Sequence, residues 1–154
     1  MLTRIINCQI FDPGRNGAQT GAATFQGYVE FSNDVITAVG EGVPPPADAG
    51  VKVIDARGAT LAPSFVDMYA NFCEPGYEYR ETIASGSRAA AAGGYTAVCL
   101  RPDTDPLIQR SNGVRFLLER GALAGLIDVY PIGALSMGME GQTMSEIGEM
   151  AAAG

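Results

Sequence analysis

The chain of 154 residues is long enough to bury a core, and with 47% hydrophobic and 18% charged residues it has the composition of a folded protein. Its formal net charge of -7 argues against nucleic acid and anionic membrane as partners, because both demand a basic footprint. Histidine is absent, which removes the commonest metal ligand and the commonest general base at neutral pH, so a Ser-His-Asp or Cys-His mechanism would need an imidazole from outside the sequence.

The first 60 or so residues read as β-structure. A mixed apolar strand from Leu2 to Phe11 closes at the turn Asp12-Pro13-Gly14. Gly27 to Phe31 alternates as a half-buried strand, Ser32-Asn33-Asp34 turns, and Val35 to Val39 completes a hairpin. Pro44-Pro45-Pro46 is a stiff surface connector, and Val51 to Asp55 alternates again. Strands at this spacing predict a small sheet or sandwich. No apolar run reaches the roughly 18 residues that a membrane span needs. The N-terminus lacks the apolar core of a signal peptide. Cys8, Cys73 and Cys99 are odd in number and widely spaced, which fits a reduced, cytoplasmic protein without a disulfide framework; Cys8 and Cys99 are expected to be small buried residues.

From Ala59 the pattern changes to alternating strand and helix. The organising stretch is Ser64 to Gly76, an apolar run ending in Pro75-Gly76. Side chains alternate on a strand, so Asp67, Tyr69, Asn71 and Cys73 are expected to share one face, with Val66, Met68, Ala70 and Phe72 on the other. Thr82 is the expected N-cap of a helix through Ala92, ended by Gly93-Gly94 and rich in small residues that let it lie close to a sheet. Tyr95 to Leu100 is a nearly continuous apolar strand. After the loop Arg101 to Pro106, a second helix is predicted from about Gln109 to Ala124, with Val114, Leu117, Leu118 and Gly121 at helical spacing. Ile127 to Gly133 is a third strand. Thr143-Met144-Ser145-Glu146 is a capping-box pattern for a third helix, with Met144, Ile147, Met150 and Ala151 as its apolar side. Three βα units imply a parallel sheet, either an open doubly wound one or part of a (β/α)₈ barrel; no GxGxxG follows the first strand, which weakens the former. In a barrel, Tyr69, Asn71, Cys73, Arg101, Asp103 and Ser136 would lie at the C-terminal ends of the strands, where sites are built.

These residues carry a resemblance. Asp67, Glu74-Pro75-Gly76 and the segment Glu81 to Cys99, with its run Ala89-Ala90-Ala91-Ala92-Gly93-Gly94-Tyr95-Thr96, closely resemble the bacterial dihydroorotases of the amidohydrolase superfamily. Ile54-Asp55-Ala56-Arg57-Gly58 followed by Ala62-Pro63 looks like that family's passage from β-sandwich to barrel. The resemblance implies an α/β architecture: a partial β-sandwich subdomain over residues 1–60, then the first three βα units of an incomplete TIM-type barrel over 61–154. It also implies that the chain is the first part of a longer protein.

In the active family the first barrel strand carries His-x-His, two zinc ligands. An Arg two residues on holds the substrate carboxylate, and a Pro-Asn pair after the second strand makes another substrate contact. In this sequence those positions hold Tyr69 and Asn71, then Cys73, then Pro102-Asp103. A phenol that ionises near pKa ~10 and a neutral amide are poor zinc ligands. Without the metal no hydroxide is generated cheaply at neutral pH. Cys73 removes a cation and Asp103 adds an anion where a carboxylate would bind. Cys73 is also a thiol without a local base, so a nucleophile role is disfavoured. Asp103 is expected to cap its own loop, and Arg101 to pair with Asp103 or Asp105. No catalytic or metal-binding residue and no cofactor is therefore assigned. The resemblance is closest to the non-catalytic pseudo-dihydroorotases, which implies a structural partner of aspartate transcarbamoylase in de novo pyrimidine (UMP) biosynthesis, within an oligomeric complex. Two other readings stand beside it. One is an active zinc-dependent dihydroorotase or other cyclic amidohydrolase with ligands beyond Gly154. The other is a gene fragment without function of its own.

Overall fold

A computed structural model describes residues 1–14 and 23–154. The chain divides into two compact units, Met1–Pro63 and Ser64–Gly154.

In the first unit, five strands form a single sheet: β1 (Leu2–Asp12), β2 (Ala23–Ser32), β3 (Val35–Glu41), β4 (Lys52–Asp55) and β5 (Thr60–Leu61). The order is β3-β2-β1-β4, with β5 also paired to β1. The pairs β1–β2 and β2–β3 are antiparallel, whereas β4 and β5 run parallel to β1. The turn read at Ser32-Asn33-Asp34 is present, with Asn33 in the left-handed region at φ 53°. The register slips between Ile5 and Cys8, where Asn7 takes φ 54° and its amide donates to Asp55 Oδ1 at 3.0 Å. Asp55 Oδ1 also accepts from the Arg57 N–H at 2.9 Å, and these bonds hold its carboxyl below the usual carboxylate range. Cys8, Ile10 and Val29 make the core. Burial pushes the Cys8 thiol up, as expected for a small buried residue. The connector at Pro44-Pro45-Pro46 is tied down: the Pro45 carbonyl accepts from Arg4, whose Nε also donates to Glu30 at 2.7 Å. One apolar face of the sheet, with Ile5, Val29, Phe31, Ile36 and Val39, opens into a hollow of about 410 Å³.

The second unit is a parallel sheet, β6 (Phe65–Ala70), β7 (Tyr95–Leu100) and β8 (Asp128–Pro131), in the order β6-β7-β8. Helices α1 (Ile83–Ala92), α2 (Ser111–Ala124) and α3 (Ile147–Ala153) accompany it, with a 3₁₀ turn at Met137–Met139. The α1 boundaries match the reading from sequence. Thr82 is extended and accepts from the Ser85 N–H at 3.1 Å, while Ser85 Oγ accepts from the Thr82 N–H at 3.0 Å, and Gly93 ends the helix. Small residues do bring α1 close: a Cβ on Gly86 would stand 2.5 Å from the Phe72 ring. Val114 and Leu117 of α2 are buried with Val98, Leu100 and Val129 of the sheet, and Ile83, Ile108 and Met150 complete the core.

The third helix departs from the reading. Its cap is Glu146 without a side-chain bond, and Thr143 instead accepts from the Met137 N–H through its carbonyl at 2.8 Å. The Ser145 hydroxyl donates to the Ala134 carbonyl, and Glu146 pairs with Arg110 at 3.4 Å. The expected capping box does not form, the helix starting only after Glu146, and of the expected apolar side only Met150 is buried. Among the described residues no helix is long and apolar enough to cross a membrane.

Candidate functional site at the ends of the parallel strands

Strict alternation fails on β6. Asp67 pairs with Val98 and Ala70 with Leu100, so three steps on β6 oppose two on β7. This bulge turns Asp67 and Ala70 to the same side, the one that Val98 and Leu100 present to the helices. Asp67 and Ala70 accordingly line a cavity of about 250 Å³ with Gly86, Ala89 and Ala90 of α1. Tyr69, absent from that lining, is 61% exposed and meets Arg101 instead. Asp67 therefore does not share a face with Tyr69, contrary to the period-two expectation. Its Oδ1 accepts from the Tyr69 N–H at 2.9 Å and stabilises the bulge locally.

Beyond β6 the chain turns sharply. Asn71 Oδ1 accepts from the Cys73 N–H at 3.0 Å, and Cys73 sits in the left-handed region at φ 62°. A non-glycine residue there costs roughly 1–2 kcal/mol, which this side-chain bond and the Tyr77 N–H to Cys73 carbonyl bond at 2.9 Å help to offset. The turn docks on the loop after β7, where the Asp105 N–H donates to the Pro75 carbonyl at 3.1 Å. The Glu74–Pro75 and Asp105–Pro106 peptides are both cis.

The structure brings Tyr69 and Asp103 together through Arg101. Arg101 Nε donates to Asp103 Oδ1 at 2.9 Å, and a second guanidinium nitrogen donates to Oδ2. The guanidinium carbon stands 4.9 Å from the centre of the Tyr69 ring. The expected ion pair forms, whereas for Asp103 the bonds seen are to Arg101 and not to its own loop backbone. Cys99 is only half-buried.

Glu74 has a larger structural part than its sequence position suggests. It is 5% exposed; Oε2 accepts from the Ile83 N–H at 2.7 Å at the start of α1, and Oε1 pairs with Arg120 of α2 at 3.0 Å. Nine residues separate Glu74 from Ile83, so no local capping pattern announces it. Nearby, the Gly76 N–H bonds Glu78 at 2.9 Å and holds that carboxyl below its usual range.

A family model described as dihydro-orotase-like matches residues 58–154. The chain belongs to this family. The dihydro-orotase-like chain is 40% identical over 154 residues to a dihydroorotase of Desulforapulum autotrophicum, covering 100% of this chain and 34% of the relative. It is 45% identical over 148 residues to a dihydroorotase of Anaeromyxobacter sp. (strain K), covering 95% and 32%. It thus spans about a third of the length of the curated relatives it matches. Among solved structures it is similar to an L-hydantoinase (dihydropyrimidinase) from Arthrobacter aurescens, with TM-score 0.69 and 18% identity over 88% of this chain and 28% of that one. An amidohydrolase from an environmental sample of the Sargasso Sea gives TM-score 0.61 and 20% identity over 99% and 40%. At such identities the likeness shows the fold alone, a mixed α/β arrangement.

The family implies zinc, and the residues described do not fit it. The Tyr69 ring lies under a guanidinium, and the Asn71 amide oxygen is engaged by the backbone of its own turn. No group of three or more His, Cys, Asp or Glu among the described residues is placed to hold a metal ion.

Proposed function

We propose that this dihydroorotase-like protein serves de novo pyrimidine biosynthesis as a non-catalytic member, a scaffold that partners aspartate transcarbamoylase. The observation that carries the reading is the coupled change at the strand ends. Tyr69 and Asp103, two departures from the family pattern, are joined by Arg101 in one self-satisfied cluster, while the frame around them, Thr82, Gly93 and the buried Glu74, is kept. Neither a phenol nor a carboxamide lowers the pKa of bound water as a zinc site does. Asp103 is taken up by Arg101 and offers no cation to a substrate carboxylate.

The test uses the natural polypeptide that carries this sequence. Dihydroorotate hydrolysis is assayed with and without added zinc, and association with aspartate transcarbamoylase is measured by sedimentation. The expected result is a complex and no hydrolysis above background. Hydrolysis at an ordinary enzymatic rate with stoichiometric zinc would refute the reading. It would favour the second one, an active cyclic amidohydrolase with ligands beyond Gly154, which the 40–45% identity to proteins named dihydroorotase supports.

A further inference from the structure

We infer that Tyr77, Tyr79 and Arg80, in the loop between β6 and α1, form a docking point for a carboxylate on a partner protein. The inference rests on the scaffold reading above and assigns a surface to it.

Four arginines among the described residues lay the guanidinium over an aromatic ring, and three of them also hold a carboxylate. Arg4 lies 5.8 Å from the centre of the Tyr28 ring and bonds Glu30 at 2.7 Å. Arg101 has Tyr69 and Asp103, and Arg120 has Phe116 at 5.5 Å and Glu74 at 3.0 Å. Arg80 is the exception. Its guanidinium carbon stands 5.4 Å from the centre of the Tyr77 ring and 5.3 Å from that of Tyr79, and no carboxylate among the described residues pairs with it. The acids beside it in sequence are engaged elsewhere. Glu78 accepts from the Gly76 N–H at 2.9 Å, and Glu81 accepts from the Ser85 hydroxyl. Rings engage the face of a guanidinium, whereas its N–H groups lie in the plane and suit a carboxylate taken with two nitrogens.

The loop is held in shape before any partner arrives. The Tyr77 N–H donates to the Cys73 carbonyl and the Arg80 N–H to the Tyr77 carbonyl, both at 2.9 Å. Gly76, at φ 96°, packs so closely that a Cβ there would stand 2.2 Å from the Asp105 carbonyl oxygen. The buried Glu74 ties the same loop to α1 and α2. A docking point fixed in this way loses little freedom on binding. Tyr79 is 77% exposed, and Arg80 is exposed beside it. A free acid pairing with an exposed guanidinium in water gains little. A protein surface laid over the two rings removes that water, and Tyr and Arg are among the residue types that dominate interface energies. The carboxylate is therefore assigned to a protein.

The experiment uses the natural polypeptide that carries this sequence. Its Kd for aspartate transcarbamoylase is measured by sedimentation for the wild type, Arg80→Ala, Arg80→Lys and Arg115→Ala, Arg115 being exposed on α2. Arg80→Ala is expected to weaken association at least ~10-fold, the scale of an interface anchor. Arg80→Lys, which keeps the charge without the planar fork, is expected to recover little, and Arg115→Ala to leave the Kd unchanged. An unchanged Kd in Arg80→Ala, equal losses at both positions, or full recovery by lysine each overturns the docking point. So does a lower unfolding midpoint in Arg80→Ala with association intact, which would place the carboxylate in the polypeptide itself. A second measurement needs no transcarbamoylase. Phenylglyoxal labelling of each arginine is followed by peptide mass spectrometry, with poly-L-glutamate as the acidic probe. Greater protection at Arg80 than at Arg115 is expected, and equal protection overturns the assignment. If the wild type does not associate with transcarbamoylase, the scaffold reading fails, and the labelling alone decides the docking point.

Discussion

Replacing Glu74 with alanine removes two bonds at once. One is a charge-assisted hydrogen bond to the Ile83 N–H at 2.7 Å, accepted by a carboxylate whose residue is 5% exposed. Such a bond contributes about 1.5–3 kcal/mol. The other is the pair with Arg120 at 3.0 Å. Arg120 is 51% exposed and stays solvated when its partner leaves, so that loss is about 0.2–1 kcal/mol. The expected cost is therefore roughly 2–4 kcal/mol. Glu74→Gln keeps an oxygen for Ile83 but lacks the charge, and should cost about half as much. The assay is urea unfolding followed by far-UV circular dichroism, with amide hydrogen exchange across α1. Exchange at Ile83 and in the first turn should accelerate before the rest of the helix. An alanine variant less than ~1 kcal/mol weaker than wild type, or one without faster exchange at Ile83, would refute the idea that Glu74 anchors α1.

Ser87 on α1 is fully buried and its hydroxyl has no partner among the described residues, so Ser87→Ala should raise stability by about 1 kcal/mol in the same urea assay. Gly121→Ala places a Cβ 2.7 Å from the Val129 Cβ, where α2 meets β8; overpacking should cost about 1–3 kcal/mol, read as a lower urea midpoint. Asp55 has a folded pKa held below the ordinary carboxylate value of ~3.9. A depressed folded value gives stability that is present above the unfolded pKa and lost as pH falls through the folded one. The stability gap between wild type and Asp55→Asn should thus narrow as pH drops below about 4, and unfolding curves at neutral and acid pH check it.

Much of the second unit was legible because its signals are local. Thr82 caps α1 since a hydroxyl three residues before a free N–H has one good use, and Gly93-Gly94 ends the helix for want of side chains. The apolar run Tyr95 to Leu100 became the central strand β7, whose neighbours on both edges are also strands. The Arg101–Asp103 pair was legible from two residues of separation. Where the sequence misled, a distant partner decided. Thr143-Met144-Ser145-Glu146 has the spelling of a capping box, yet the helix starts only after Glu146, whose carboxylate pairs with Arg110. Glu74 gives no sign that it reaches Ile83 and Arg120.

At the site itself, the sequence alone determined which donors are present: no imidazole, a phenol at 69, an amide at 71, a thiol at 73 and a carboxylate at 103. That chemistry is a property of residue types and needs no fold. Only the tertiary structure decided who meets whom. An extra residue on β6 against β7 moved Asp67 to the helix side, because a bulge is a count between two strands and cannot be read from one. The stack of Arg101 on Tyr69 likewise required β6 and β7 to lie side by side, which brings together residues 32 positions apart in the chain.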